Sequence, residues 1–178
     1  MDPLESKRIE ERLKGGHPNS LGATLEVVED VLQKPELFHE LFECYFSSDE
    51  IVRLRVSNAI KRIAKPHPGL VVPYLDRLIQ EISKIDQASA QWTLSQLFLI
   101  LEKYLSPIQK EEAKTIMKDN LVNHSDWIVL CQTMETLSKW AQKDHELSKW
   151  LMTTLDKHKQ DTRKAVKSKA LKISSSLS

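Results

Sequence analysis

Asp49-Glu-Ile-Val-Arg-Leu-Arg-Val-Ser-Asn-Ala-Ile-Lys-Arg-Ile-Ala-Lys65 is the stretch on which the reading of this chain turns. Val52, Val56, Ala59, Ile60 and Ile63 recur at intervals of three and four, the spacing of one helix face. The acidic pair Asp49-Glu50 opens the run, with Ser48 or Asp49 as its cap, where carboxylates meet the positive end of the helix dipole. That capping role accounts for the pair without acid–base chemistry. Just upstream, the apolar-periodic run 37–46 ends in the turn Ser47-Ser48. A short helix, a tight turn and a longer helix with small residues in its stripe make a two-helix unit. Such a unit buries its apolar face by stacking on a neighbour of the same kind.

Working outward, similar punctuation recurs. Residues 4–14 read as a short charged helix ending at Gly15-Gly16. Asn19 or Ser20 is placed to cap a helix running to about Gln33, with Leu21, Leu25, Val28 and Leu32 as its stripe. Pro35 opens the next helix, which buries Leu37, Phe38, Leu41, Phe42 and Tyr45. Lys65-Pro66-His67-Pro68-Gly69 breaks the chain, and a helix with Pro73 near its start follows to about Lys84. Residues 88–104 are apolar on nearly every side, which predicts a central helix. Ser106-Pro107 opens a helix with the stripe Ile108, Ala113, Ile116, Met117 and Leu121. Asn123-His124-Ser125 turns the chain into 126–142. Asp144 caps a helix over about 145–157, and a Lys-rich last helix is expected over about 161–174.

The repeat can be tested by offset. Shifting Val52, Val56, Ile60 and Ile63 by 38 gives Ala90, Leu94, Phe98 and Leu101. A shift of 77 gives Val129, Thr133, Leu137 and Trp140, and 110 gives Thr162, Val166, Ala170 and Ile173. Steps of this size suit two-helix repeats. On these residues the chain resembles the HEAT-repeat (armadillo-like α-solenoid) family. Asp49-x-x-Val52-Arg53 followed by Ala59-Ile60-x-x-Ile63 looks like its second-helix pattern. Val72-Pro73-Tyr74-Leu75-x-x-Leu78-Ile79 looks like the first helix of the next repeat. Arg53 is matched by Gln91 and Leu130, so the family's arginine is not repeated. The resemblance implies an all-α fold: a right-handed α–α superhelix of about four hairpins plus an N-terminal capping helix, its second helices lining a concave face. Residues 1–18 then form a charged segment or short helix. Residues 19–178 form one α-solenoid domain, with repeats at about 35–66, 67–105, 106–143 and 144–176.

Composition bounds the function. With 29% charged residues and only 4 Gly in 178 residues, the chain suits long helices around a substantial core. Formal net charge is +1, but it is unevenly spread. Residues 1–50 carry 5 basic and 12 acidic groups, a net of −7, and the remainder 21 and 13, a net of +8. Cys44 and Cys131 lie far apart in apolar helical context, which predicts reduced, buried thiols in a cytoplasmic protein. The N-terminus has no apolar signal core. The longest apolar run, 97–101, is far too short to span a bilayer.

No catalytic constellation emerges. His17, His39, His67, His124, His145 and His158 are scattered, with no H-E-x-x-H and no Cys–His cluster, so neither a metal nor a cofactor is expected. Gly15-Gly16 lacks the flanks of a phosphate loop, and no Ser sits in a nucleophile elbow. The surface opposite the Asp49 stripe says more. The repeat offsets carry Leu54 to Trp92 and Cys131, and Ser57 to Ser95 and Met134, so Leu54, Trp92, Cys131 and Met134 predict a partly exposed apolar strip with Arg55 and Lys61 on its rim. Leu54, Trp92, Cys131, Met134, Arg55 and Lys61 are thus the candidate partner-binding residues. The expected function is a monomeric, non-enzymatic scaffold that binds a protein partner on its concave face. The alternative is a nucleic-acid-binding solenoid similar to the alkylpurine DNA glycosylases built on HEAT-like repeats, with Trp92, Trp127 and Asp126 as its candidates. Asp126 also reads as an N-cap with Trp127 in the first turn, and a continuous positive groove would be needed to favour that alternative.

Overall fold

The computed structural model describes residues 8–178, and every regular element in them is helical. None of these helices is long and apolar enough to cross a membrane. The chain divides into two compact units, the first ending at Thr93 and the second beginning at Leu94.

The first unit contains α1 (Ile9–Leu13), α2 (Thr24–Gln33), α3 (Phe38–Glu43), α4 (Glu50–Ala64), α5 (Pro68–Val71) and α6 (Leu75–Gln80). It ends within α7 (Ala88–Ile100). Here α4 is the central helix. Its start is fixed by Asp49, whose Oδ1 accepts from the backbone N–H of Ile51 at 2.8 Å and of Val52 at 3.4 Å. It packs against α1, α2, α3 and α5, so Val52, Val56, Ala59, Ile60 and Ile63 are all fully buried. Phe38 and Phe42 pack against Tyr74, and the Arg77 guanidinium lies 4.8 Å above the Phe42 ring.

Three expectations for this unit are corrected. The buried face of α2 is Thr24, Val27, Val28 and Val31. Leu21 and Leu25 are instead exposed, and Leu32 is half-buried. The reason lies in the entry turn. Gly22 takes the left-handed φ of +51°, so neither Asn19 nor Ser20 caps the helix, which starts at Thr24 and turns its valine ridge inward. The single helix expected over 70–84 is broken into α5, a 3₁₀ turn at Val72–Tyr74 and α6, since Pro73 cannot donate to a continuous helix. The charged helix expected over 4–14 is seen as α1, and residues 4–7 lie outside those described.

The second unit holds the end of α7, then α8 (Pro107–Asn123), α9 (Trp127–Ala141), α10 (His145–His158) and α11 (Lys164–Leu177). Ser106 and Gln109 form a reciprocal capping box at the start of α8. The core of this helix starts one turn in, at Ala113, Met117 and Leu121, leaving Ile108 74% exposed instead of in the stripe. The central helix is α9, packed against α8, α10 and α11. Arg163 on the start of α11 donates to the Ser125 carbonyl, and Lys169 reaches Glu135 at 2.8 Å, so α11 runs alongside α9 in the same direction. The last helix begins at Lys164, three residues later than expected, because the Asp161 carboxylate is engaged by the Arg163 guanidinium and N–H.

Candidate binding groove

Three lysines of α8, Lys110, Lys114 and Lys118, stand four residues apart and therefore share one face. Each is held by the helices beside it. Lys110 Nζ donates to Glu102 at 2.8 Å and lies 4.9 Å above the Trp140 ring. Lys118 Nζ lies 4.9 Å above the Trp150 ring. Lys114 Nζ reaches Glu111 at 2.5 Å and Asp144 at 2.8 Å. Burial works against the charge on Lys114, but the two carboxylates outweigh it and raise its pKa. Lys114, with a further bond from the Leu147 N–H, holds the Asp144 carboxyl below its ordinary range. Asp144 is thus both the N-cap of α10 and the anionic partner of α8.

Between these elements lies a groove of about 1030 Å³, formed by the end of α7, the start of α8 and the α9–α10 junction. Leu99, Ile100, Leu105 and Trp140 supply its apolar lining. Lys103, Lys110, Lys114 and Lys143 face Glu102, Glu111, Asp144 and Glu146 in its walls. Trp140 is almost wholly buried, and its indole Nε1 has no hydrogen-bond partner among the described residues. Glu102 and Asp144 are paired with lysines, and no Ser, Thr or Cys stands in the lining. No group of three His, Cys, Asp or Glu among the described residues is placed to hold a metal ion. An apolar floor under a charged rim is an arrangement that can take up a side-chain-bearing segment.

The residues singled out from sequence fall elsewhere. Leu54 and Lys61 are half-buried, seven residues apart and so on one ridge of α4, with Asn58 between them. Burial, then Lys65 and Arg62, lowers the Lys61 pKa. Trp92 is half-buried in α7, neither fully exposed nor enclosed. Three placements are corrected. Met134 is completely buried, and Cys131 is 8% exposed, so neither belongs to an exposed strip. Arg55, expected on a groove rim, is 2% exposed. Its guanidinium donates to the carbonyls of Leu13 and Gly15, both at 2.6 Å, of Ser20 at 3.2 Å and of His17 at 3.4 Å. The physical reason is shared. Both α4 and α9 are covered on more than one side, so positions opposite their main stripe also face protein.

Other candidates prove structural. Asp126 caps α9, accepting from Ile128 N–H at 2.8 Å and Val129 N–H at 3.1 Å, while Trp127 beside it is 49% exposed. Cys44 and Cys131 are free and buried. Burial pushes the Cys44 thiol up to about 12 and also raises that of Cys131. The lysine spacing on α8 and the Asp144 cap were visible in the sequence, but nothing there joined them to Trp140. No family model, curated protein or solved structure matches this chain.

Proposed function

We propose that this chain is a non-enzymatic helical-repeat protein of the HEAT-like kind, and that it holds a segment of a protein partner in the groove of its second unit. The observation that carries the reading is the groove itself: an apolar floor ending in Trp140, rimmed by lysines and carboxylates in balance, with no Ser, Thr or Cys in the lining. Large aromatic anchors under polar rims are where interfaces concentrate their binding energy.

The repeat character is supported by the reach of the side-chain bonds. Ile9 to Glu40 spans 31 residues, Arg53 to Gln87 spans 34, His158 to Leu121 spans 37 and Thr136 to Ser95 spans 41. Helices that bond one repeat length back along the chain are what a stack of two-helix units requires. The groove offers little to a nucleic acid, because four carboxylates stand among its four lysines and leave no continuous positive track.

Affinity capture from the native host, read by mass spectrometry, tests this reading. The variant Lys103→Glu/Lys143→Glu reverses two rim charges that lack a carboxylate partner among the described residues. Lys157→Glu, an exposed α10 position outside the groove lining, is the control. A partner retained by wild type and control but lost from the rim variant supports the groove. Retention of the same partners by the rim variant overturns it.

A further inference from the structure

Two helices present uncovered faces of opposite character. The sequence of α11 contains no acidic residue. Its Val166, Ala170 and Ile173 are buried against α9 and α10, while Lys164, Lys167 and Lys172 are exposed. None of these three lysines has a carboxylate partner among the described residues. Leu171 lies among them on the same outer face and is 46% exposed. The sequence of α2 contains no basic residue. Its valine ridge faces α4, while Glu26 and Glu29 point outward; the nearby Asp30 is the one that pairs, with Arg12. Leu25 lies beside these two glutamates at 43% exposure, with Leu21 at 36% one turn earlier. Each outer face is therefore an exposed leucine flanked by charges of a single sign without a partner among the described residues, positive on α11 and negative on α2.

We propose that copies of this chain associate head to tail, α11 of one copy lying on α2 of the next. Leu171 would pack against Leu21 and Leu25, and Lys164, Lys167 and Lys172 would stand opposite Glu26 and Glu29. The complementarity covers both the apolar centre and the charged flanks, and both halves are present on one chain. A nucleic acid would satisfy the lysines but leave Leu171 uncovered, which is why the second copy is the better occupant. The contact is heterologous, so both faces remain available at the two ends of any assembly and association is open-ended unless its rotation closes a ring. One helix laid on another buries less than a standard interface, so the assembly is a concentration-dependent equilibrium. This replaces the monomer expected from the sequence, and it involves none of the groove residues.

Sedimentation velocity of the full chain over a wide concentration range tests the proposal. Wild type should show a weight-average sedimentation coefficient that rises with concentration at low salt. The rise should weaken as salt shortens the Debye length to about 10 Å or less. Lys167→Glu/Lys172→Glu should weaken association about tenfold or more, and Glu26→Lys/Glu29→Lys should do the same, since opposed like charges replace attraction. All four positions are exposed, and circular dichroism confirms that each variant folds. Mixing the two variants should restore association, because reversed α11 then meets reversed α2. The proposal is overturned if wild type stays monomeric at every concentration, if it associates but neither variant changes this, or if mixing restores nothing. It is also overturned if wild type stays monomeric while Lys167→Glu/Lys172→Glu abolishes binding to a labelled DNA duplex; α11 would then be a polyanion face.

Discussion

Replacing Arg55 by Met should remove a large share of the first unit's stability. The methionine keeps much of the buried stem volume but leaves four carbonyls without their donor. Two of the bonds lost, to Leu13 and Gly15, are 2.6 Å long, and the other two, to Ser20 and His17, are 3.2 and 3.4 Å. A hydrogen bond to a charged group contributes about 1.5–3 kcal/mol. The two short bonds at that rate give about 3–6 kcal/mol, from which the recovered desolvation of the guanidinium subtracts a part. The two longer bonds end on residues near the surface, where water can replace the donor, so they add little. The expected loss is about 3–5 kcal/mol, against a total of about 5–15 kcal/mol for a domain. Arg55→Lys should fall between wild type and Met, because one ammonium cannot reach four carbonyls that the planar guanidinium serves together. Gly22→Ala tests the same contact from the other side. A Cβ there would stand 2.8 Å from the Arg55 guanidinium carbon, on a backbone already at φ +51°, so about 1–3 kcal/mol is expected. Urea unfolding gives the totals. Hydrogen exchange at the Ser20 and Thr24 amides, which bond to the His17 and Leu21 carbonyls, gives the local effect. An Arg55→Met variant within about 0.5 kcal/mol of wild type, the range of an ordinary surface substitution, would refute the reasoning.

Ala59→Leu should destabilise by about 1–3 kcal/mol through overpacking of a fully buried α4 site, and an unchanged urea midpoint would show that the site has slack. Asp144→Ala should cost about 0.5–2 kcal/mol for the lost α10 cap, while Asp144→Asn keeps a capping oxygen and isolates the Lys114 pair, so thermal melts should rank Ala below Asn. Burial lowers the pKa of His158, whose Nε2 lies 3.0 Å from the Leu121 carbonyl. The unfolded chain therefore takes up this proton first: the His158 contribution is complete above about pH 6.5 and is lost as the pH falls through the lower folded value. Unfolding midpoints over that window should drop less steeply in His158→Gln than in wild type.

The legible parts of this fold are those that local chemistry decides. Asp49, Ser106, Asp126 and Asp144 were each placed at helix starts, and each carboxylate or hydroxyl accepts from the backbone two or three residues on. The α4 stripe was read correctly because five apolar residues at helical spacing leave no other face to bury. Where two faces competed, periodicity failed. In α2 the leucines and the valines make overlapping stripes, and the choice between them was settled by the left-handed turn at Gly22, which no spacing argument contains.

The site was less legible for a related reason. Arg53, Arg55, Lys61 and Arg62 are four cations on one helix, and composition treats them alike. Their fates differ completely. Arg53 bonds Gln87 and the Ser47 carbonyl, Arg62 stays exposed beside Asn58, Lys61 is half-buried, and Arg55 is enclosed. What selects Arg55 is the loop from Leu13 to Gly22, some forty residues away in sequence, whose carbonyls converge on one point. Gly15, Gly16 and Gly22 all hold positive φ there; Gly15 turns its carbonyl onto Arg55, and a Cβ at Gly22 would stand 2.8 Å from the guanidinium. Read alone, Gly15-Gly16 is a chain break and Arg55 is a surface charge. Read together they are one device: a loop closed by only a few short-range turn bonds is folded around a cation borrowed from the central helix. A buried arginine without a carboxylate is therefore explained by the backbone it serves, and the enclosed Arg55 offers no donor to a partner, unlike the exposed Lys103 and Lys143.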